Sequence, residues 1–167
     1  MGKDGSSHFL TTQLEAFINW GRKWAMWPLP FGTSCCGIEM MATLSADYDM
    51  ARFGAEAIRF SPRQSDLLIC AGIVNAKMSP ILKTVYDQMS EPKWVMSFGA
   101  CASSGGVFPV YSVTQGIDNI VPVDIYIPGC PPSPESVLDG LLKLRERVQR
   151  GETDSLNRIR HGRVAVP

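Results

Sequence analysis

The residues best suited to chemistry are two adjacent cysteines, Cys35 and Cys36, in the run Phe31-Gly32-Thr33-Ser34-Cys35-Cys36-Gly37-Ile38-Glu39-Met40-Met41. Side chains of neighbouring residues point to opposite faces of a strand and diverge by about 100° on a helix. Such a pair is poorly placed to chelate one small tetrahedral ion, but each thiolate can hold a different iron of a cube. Two further cysteines have settings of their own, Cys101 in Gly99-Ala100-Cys101-Ala102-Ser103-Ser104-Gly105-Gly106 and Cys130 in Pro128-Gly129-Cys130-Pro131-Pro132. Structural zinc sites usually pair cysteines two to four residues apart. A tandem pair followed by two distant single cysteines does not follow that pattern. Small residues let backbone amides approach and donate to ligating sulfurs, which tunes reduction potential. Proline directly after a ligand cysteine recurs in ferredoxin-type sites. The four thiols Cys35, Cys36, Cys101 and Cys130 therefore point to one 4Fe–4S cluster rather than to zinc.

The elements around them must bring these thiols together. Asp66-Leu67-Leu68-Ile69-Cys70-Ala71-Gly72 is a short apolar run closed by glycine, which suits a strand buried on both faces. Cys70 inside it reads as a small buried hydrophobe. Ser79-Pro80 opens a helix running to about Met89. Lys93–Phe98 and Val123–Ile127 read as further strands, and each leads directly into a cysteine segment. Ser133-Pro134 starts a last helix, with Gly151 as its stop. A helix is expected from Thr11 or Thr12, with Leu14, Phe17, Ile18, Gly21 and Trp24 on one stripe, ending before Pro28-Leu29-Pro30. That stripe packs on the chain's own core or lies on a partner or a bilayer interface, where tryptophan is enriched. A short extended piece then leads through Phe31 into the tandem-cysteine loop, and a helix follows from Gly37 to Leu44.

Alternating strands and helices imply a parallel α/β sheet with helices on both faces. Ligands of such sheets gather beyond the carboxyl ends of the strands, the edge on which all four cysteines fall. The domain spans 11–150, with a flexible leader at 1–10 and a partner-binding or disordered tail at 151–167, which carries His161.

Composition removes several classes. Lysine plus arginine equals aspartate plus glutamate, for a formal net charge of zero, whereas a nucleic-acid binder shows a basic excess. No glycine-rich nucleotide loop follows any strand. The five cysteines are an odd number and follow a polar start without a secretory apolar core, so reduced, metal-available thiols fit better than disulfides. No apolar run reaches the length of a membrane span.

Several segments resemble a known family. They are Thr33–Met41, Arg52-Phe53-Gly54, Ser61-Pro62-Arg63-Gln64-Ser65-Asp66, Val85-Tyr86-Asp87-Gln88-Met89 and Val121–Pro132. Together they resemble the B subunit of proton-pumping NADH:quinone oxidoreductase, respiratory complex I, over roughly residues 11 to 150. The resemblance implies a flavodoxin-like fold related to the small subunit of nickel–iron hydrogenases. It implies that the four cysteines ligate the terminal 4Fe–4S cluster, which hands electrons to ubiquinone or menaquinone. The quinone pocket would lie against a larger partner subunit, with Met41, Glu39 and Phe53 as lining positions. A neighbouring iron–sulfur subunit and membrane-arm subunits are further partners, and the place is the cytoplasmic side of the cell inner membrane, peripheral to it. A related membrane-bound hydrogenase or a ferredoxin- or coenzyme-fed quinone reductase is the alternative. Those hydrogenases generally space the first two ligands as Cys-x-x-Cys. A zinc-stabilised assembly module is a third reading, from another class.

Overall fold

The computed structural model describes residues 5–151, with side chains from residue 13 onward. Helix α1 (Gly5–Trp24) leads into strand β1 (Pro28–Gly32) and helix α2 (Ser34–Thr43). Two 3-10 turns, Met50–Phe53 and Pro62–Gln64, precede strand β2 (Leu67–Ala71). Helix α3 (Ser79–Gln88), strand β3 (Trp94–Phe98), short helix α4 (Ala100–Ser104), strand β4 (Ile125–Ile127) and helix α5 (Pro134–Arg150) complete the chain. The strands form one parallel sheet in the order β1-β2-β3-β4.

The winding explains why helices cover both faces. From β1 the chain does not go straight to β2. It passes through α2 to residues 55–59, beside the outer edge of β1, where the Arg59 N–H donates to the Pro28 carbonyl at 2.9 Å. Trp27, one residue earlier, turns its carbonyl the other way, toward the Leu67 N–H of β2. Pro28 and Pro30 therefore aim their missing N–H groups at that outer edge, which is why 55–59 forms no full strand there. Counting this segment, the chain moves outward once and then back across the sheet, the order of a flavodoxin-like fold. Parallel crossovers are right-handed, so a reversal of direction puts the connections on opposite faces.

The two resulting cores are distinct. One face buries Ile69, Trp94, Met96, Phe98 and Ile127 under α2 and α5, using Cys36, Met40, Val137, Leu141, Leu144 and Val148. The other buries Leu68, Cys70 and Val95 under α3 and α4, using Leu82, Tyr86 and Ala102. Both β2 and β3 are buried along their whole length, as their unbroken apolar runs require.

Several expectations need correction. Helix α1 begins at Gly5, so residues 5–10 of the expected leader are helical. The tandem cysteines are not in a loop before a helix but in the first turn of α2, which ends at Thr43. The small-residue stretch after β3 is not a loop throughout, since Ala100–Ser104 makes one short helix before the left-handed Gly105. The last strand is three residues rather than five. Of the expected tail, Gly151 caps α5, while residues 152–167 with His161, like residues 1–4, lie outside the described residues.

The α1 stripe does not pack on the chain's own core. Leu14, Phe17 (68% exposed), Ile18, Trp20 and Trp24 all face outward, and Phe17 stacks with Trp20 at 6.0 Å between ring centroids. The C-terminal end of α1 is fastened to α5 by Arg145. Its guanidinium lies 4.0 Å from the centroid of Trp24, and its Nε donates to the Lys23 carbonyl at 3.1 Å.

Candidate metal centre

The cysteines come from three segments at the carboxyl edge of the sheet, and backbone hydrogen bonds tie those segments together. Thr33 precedes α2 and makes no side-chain cap. Its hydroxyl contacts the carbonyls of Ala71 and Ile73 at 3.0 and 2.8 Å, and its N–H donates to Ala71 at 2.8 Å. The start of α2 is thus fastened to the end of β2. Gly72 makes this approach possible, because a Cβ there would sit 1.9 Å from the Thr33 carbonyl oxygen. Ser34 follows with φ 59°, an uncommon backbone region for a non-glycine residue, directly before Cys35.

On the first turn of α2 the paired thiols diverge as the helical period demands: Cys36 is buried and Cys35 exposed. Cys36, Met40 and Thr43 form the buried face. Cys35, Ile38 and Met41 share the outward side, at helical spacings of three.

The Cys101 and Cys130 segments are joined next. The N–H of Gly99 donates to Ile127 at 2.9 Å, and that of Ala100 donates to Gly129 at 2.8 Å. A Cβ at Gly99 would lie 2.7 Å from Cys36 Sγ, and one at Gly106 would lie 2.9 Å from Cys101 Sγ. Glycine backbone is thus laid directly against two of the four sulfurs. The peptide between Cys130 and Pro131 is cis.

The thiols lie close enough for the charge of one to raise the pKa of another. Burial, then the neighbouring charges of Cys35 and Cys101, the hydrogen bond that Cys36 donates to Cys35 and the charge of Cys130 push the Cys36 thiol up to about 12. Cys101 is raised by burial and by the charges of Cys130 and Cys35. Four crowded, partly desolvated thiols resist ionising together. A bound cationic centre reverses that balance, since a coordinating thiol is deprotonated outright. Cys70 is also pushed up to about 12, by burial alone, and lies in the opposite core under α3.

Among the described residues, no three His, Cys, Asp or Glu side chains close around a point that one metal ion could occupy. A single zinc needs four donors within about 2.3 Å of its centre. An iron–sulfur cube distributes its four thiolates over different irons. The all-thiol donor set and its glycine lining are compatible with the larger group.

Of the expected quinone-lining positions, Met41 is exposed on α2 and Glu39 is half-buried one turn after the tandem pair. Phe53 is half-buried and packs against the core that also holds Met50. Ile38, 69% exposed, lies three residues from both Cys35 and Met41 on the same side of α2. An isoleucine carries no chemistry of its own, so its only signal in the sequence is that spacing. Asp124 makes a strand-end hydrogen bond, accepting from the Val95 N–H at 2.8 Å, and Asp49 accepts from the Ala51 N–H at 3.0 Å. Arg59 lies 4.8 Å from the centroid of Trp27, and Arg52 donates to the Ala46 carbonyl at 3.1 Å.

The fold and site define a parallel α/β domain that gathers four cysteines at the carboxyl edge of its sheet. The match to the NADH ubiquinone oxidoreductase 20 kDa subunit family covers residues 34–144, and the chain belongs to that family. It is 58% identical over 141 residues to the B subunit of the NADH-quinone oxidoreductase of Flavobacterium johnsoniae, spanning 84% of this chain and 78% of that one. It is 57% identical over 140 residues to the corresponding B subunit of Aliarcobacter butzleri, spanning 84% and 82%. Among solved structures it resembles a chain of the membrane-bound sulfane sulfur reductase, an archaeal respiratory membrane complex. That likeness has a TM-score of 0.81 and 39% identity, over 88% of this chain and 83% of the other.

Proposed function

We propose that this chain is the electron-transfer subunit of an NADH–quinone oxidoreductase, in which Cys35, Cys36, Cys101 and Cys130 hold one 4Fe–4S cluster. One observation carries the reading: three separate segments, tied to one another by backbone hydrogen bonds, bring four thiols to one edge of the sheet. Identity to the NADH-quinone oxidoreductase relatives, 57–58%, exceeds the 39% to the sulfane sulfur reductase chain, which favours quinone over sulfur as the acceptor. The cluster supplies one-electron transfer, used twice for each quinone reduced.

The chain's own residues do the rest. Burial of Cys36 and Cys101 keeps water from the inner half of the site, while exposed Cys35 and Cys130 bring its outer half to the surface. The Thr33–Gly72 contact and the Gly99 and Gly106 linings hold the sulfurs in place before any metal binds. Met41, Ile38 and Glu39, on the same helix as Cys35, supply the quinone-facing surface. Phe53 contributes from behind through its packing. A larger partner subunit closes that surface, a neighbouring iron–sulfur subunit supplies electrons, and membrane-arm subunits lie below. Among the described residues no helix is long and apolar enough to cross a membrane. We infer that the chain is a peripheral member of a membrane-associated complex, on the cytoplasmic side of the inner membrane.

The test is anaerobic iron and acid-labile sulfide analysis of the native complex, with low-temperature EPR of its reduced state, repeated on Cys101→Ser. A 4Fe–4S signal that quinone oxidises and that Cys101→Ser abolishes is the expected result. Zinc without sulfide, or a signal indifferent to Cys101, overturns the assignment.

A further inference from the structure

Strand β3 is buried along its whole length, and its one hydroxyl, on Ser97, is 0% exposed. A buried hydroxyl is kept where it has a partner. Here the partner is Ser103 on α4, with the two oxygens 3.0 Å apart. Ser103 donates its hydroxyl proton to the Gly99 carbonyl at 2.9 Å. A serine has one hydroxyl proton, and a carbonyl can only accept. Both bonds therefore form together in one direction only, from Ser97 to Ser103 to Gly99.

The row does not stop at Gly99. The peptide that carries the Gly99 carbonyl carries the Ala100 N–H at its other end, and that N–H donates to the Gly129 carbonyl at 2.8 Å. The peptide of Gly129 in turn carries the Cys130 N–H. Two hydroxyls and two peptides are thus strung head to tail, from inside the sheet to the backbone of Cys130. On its way the row passes Cys36, since a Cβ at Gly99 would lie 2.7 Å from Cys36 Sγ and 3.5 Å from the Gly129 oxygen.

Hydrogen bonds in such a row polarise one another, by roughly 10–30% per bond. Donation to the Gly99 carbonyl draws electron density toward its oxygen and makes the Ala100 N–H a stronger donor. The same effect at Gly129 makes the Cys130 N–H more positive. Each group of the row then turns its positive end toward the Cys130 segment. A more positive surrounding at a thiolate-held cluster favours the form that carries the added electron.

We propose that Ser97 and Ser103 are positioning residues that raise the reduction potential of the metal centre, by polarising the Gly99 and Gly129 peptides that lead to Cys130. The inference rests on the four-cysteine 4Fe–4S reading given above. Both serines act through backbone.

The experiment is a redox titration of the native complex, followed by low-temperature EPR on the signal that Cys101→Ser abolishes. It compares the parent, Ser97→Ala, Ser103→Ala and the double variant, with iron and acid-labile sulfide per copy of this chain counted in each. Ser103→Ala cuts the row and is expected to weaken electron binding about three-fold, a fall of roughly 28 mV for a one-electron couple. Ser97→Ala keeps the bond from Ser103 to Gly99 and removes only its reinforcement, so a smaller fall in the same direction is expected. The double variant is expected to match Ser103→Ala, because without Ser103 the Ser97 hydroxyl no longer connects to Gly99. Ser103→Ala leaves a buried hydroxyl without its partner, whereas the double variant removes both, so the double variant carries the comparison where the single one fails to fold. Unchanged potentials, a rise, or falls that add in the double variant overturn the proposal while the cluster stands. A parent without iron, sulfide and the signal overturns the cluster reading, and this inference with it.

Discussion

Replacing Gly99 with alanine puts a methyl group where the Cys36 thiol already sits. The ideal Cβ falls 2.7 Å from Cys36 Sγ, inside any normal contact distance. The backbone adds its own objection, because Gly99 has φ 88° and ψ 167°, a region almost reserved for glycine that costs other residues about 1–3 kcal/mol. Relief by moving the Gly99 peptide is blocked on both sides. Its N–H is held by Ile127 at 2.9 Å, and its carbonyl accepts from the Ser103 hydroxyl at 2.9 Å. Relief by moving Cys36 means shifting a thiol that is 1% exposed and packed among Met40, Phe98 and Ile127. Overpacking of this kind adds about 1–3 kcal/mol, for a total of roughly 2–6 kcal/mol. For a domain of this size that lowers the thermal midpoint by about 5–20 °C. The control is Gly21→Ala in α1, where a Cβ meets nothing within 4 Å and the change gains up to about 1 kcal/mol of helix propensity. Thermal unfolding of the two variants, with iron and sulfide per chain counted in each, separates them. If Gly99→Ala melts within a degree or two of the parent and keeps its full iron, the packing of glycine against Cys36 is not what shapes the site.

Two further outcomes follow from groups away from the site. Burial pushes the Asp66 carboxyl up from 3.8 to about 6, although the Trp27 N–H donates to it at 2.6 Å. The folded chain therefore binds this proton more tightly than the unfolded one, and stability rises as pH falls from about 6 toward 3.8, by up to about 2 kcal/mol from this group. Asp66→Asn is expected to remove that portion of the slope in urea midpoints taken across the window, and an unchanged slope refutes it. Arg145→Ala is expected to loosen α1 without unfolding the sheet, because it removes the stacking on Trp24 and the bond to the Lys23 carbonyl. Hydrogen exchange of Gly5–Trp24 is expected to speed up at least ten-fold while β2 and β3 stay protected, and equal protection of α1 counts against the clamp.

The sheet was legible in the sequence wherever a strand is buried on both faces. The runs ending in Ala71 and Phe98 are too apolar and too short to be anything else, and the Ser-Pro signals located the starts of α3 and α5. Cys70 was recognisable as core for the same reason. The first turn of α2 was not legible, because Thr33 spends its hydroxyl on β2 rather than on a cap, leaving no local start signal. Helix α4 was missed because five small residues carry no period. The candidate site was legible as a list of sulfurs, since cysteine types and their flanking glycines and prolines are local. What distinguishes Gly72 and Gly99 is which distant atom lies against them, Thr33 O in one case and Cys36 Sγ in the other. That information exists only after the sheet has assembled. The sequence left the α1 stripe open between its own core and an outside surface for a different reason: an apolar stripe has the same pattern whether its cover is the chain itself or another molecule.

The reversal of winding has a consequence for the order of events during synthesis. Cys35 and Cys36 leave the ribosome early, but the strand that sets the place of Cys130 pairs only with β3 and lies close to the end of the domain. Nearly the whole domain must emerge before its fourth sulfur can join the other three. Until then the sulfurs already made stand beside a half-built sheet. For the cluster proposed above, loading would therefore be a late, post-translational act.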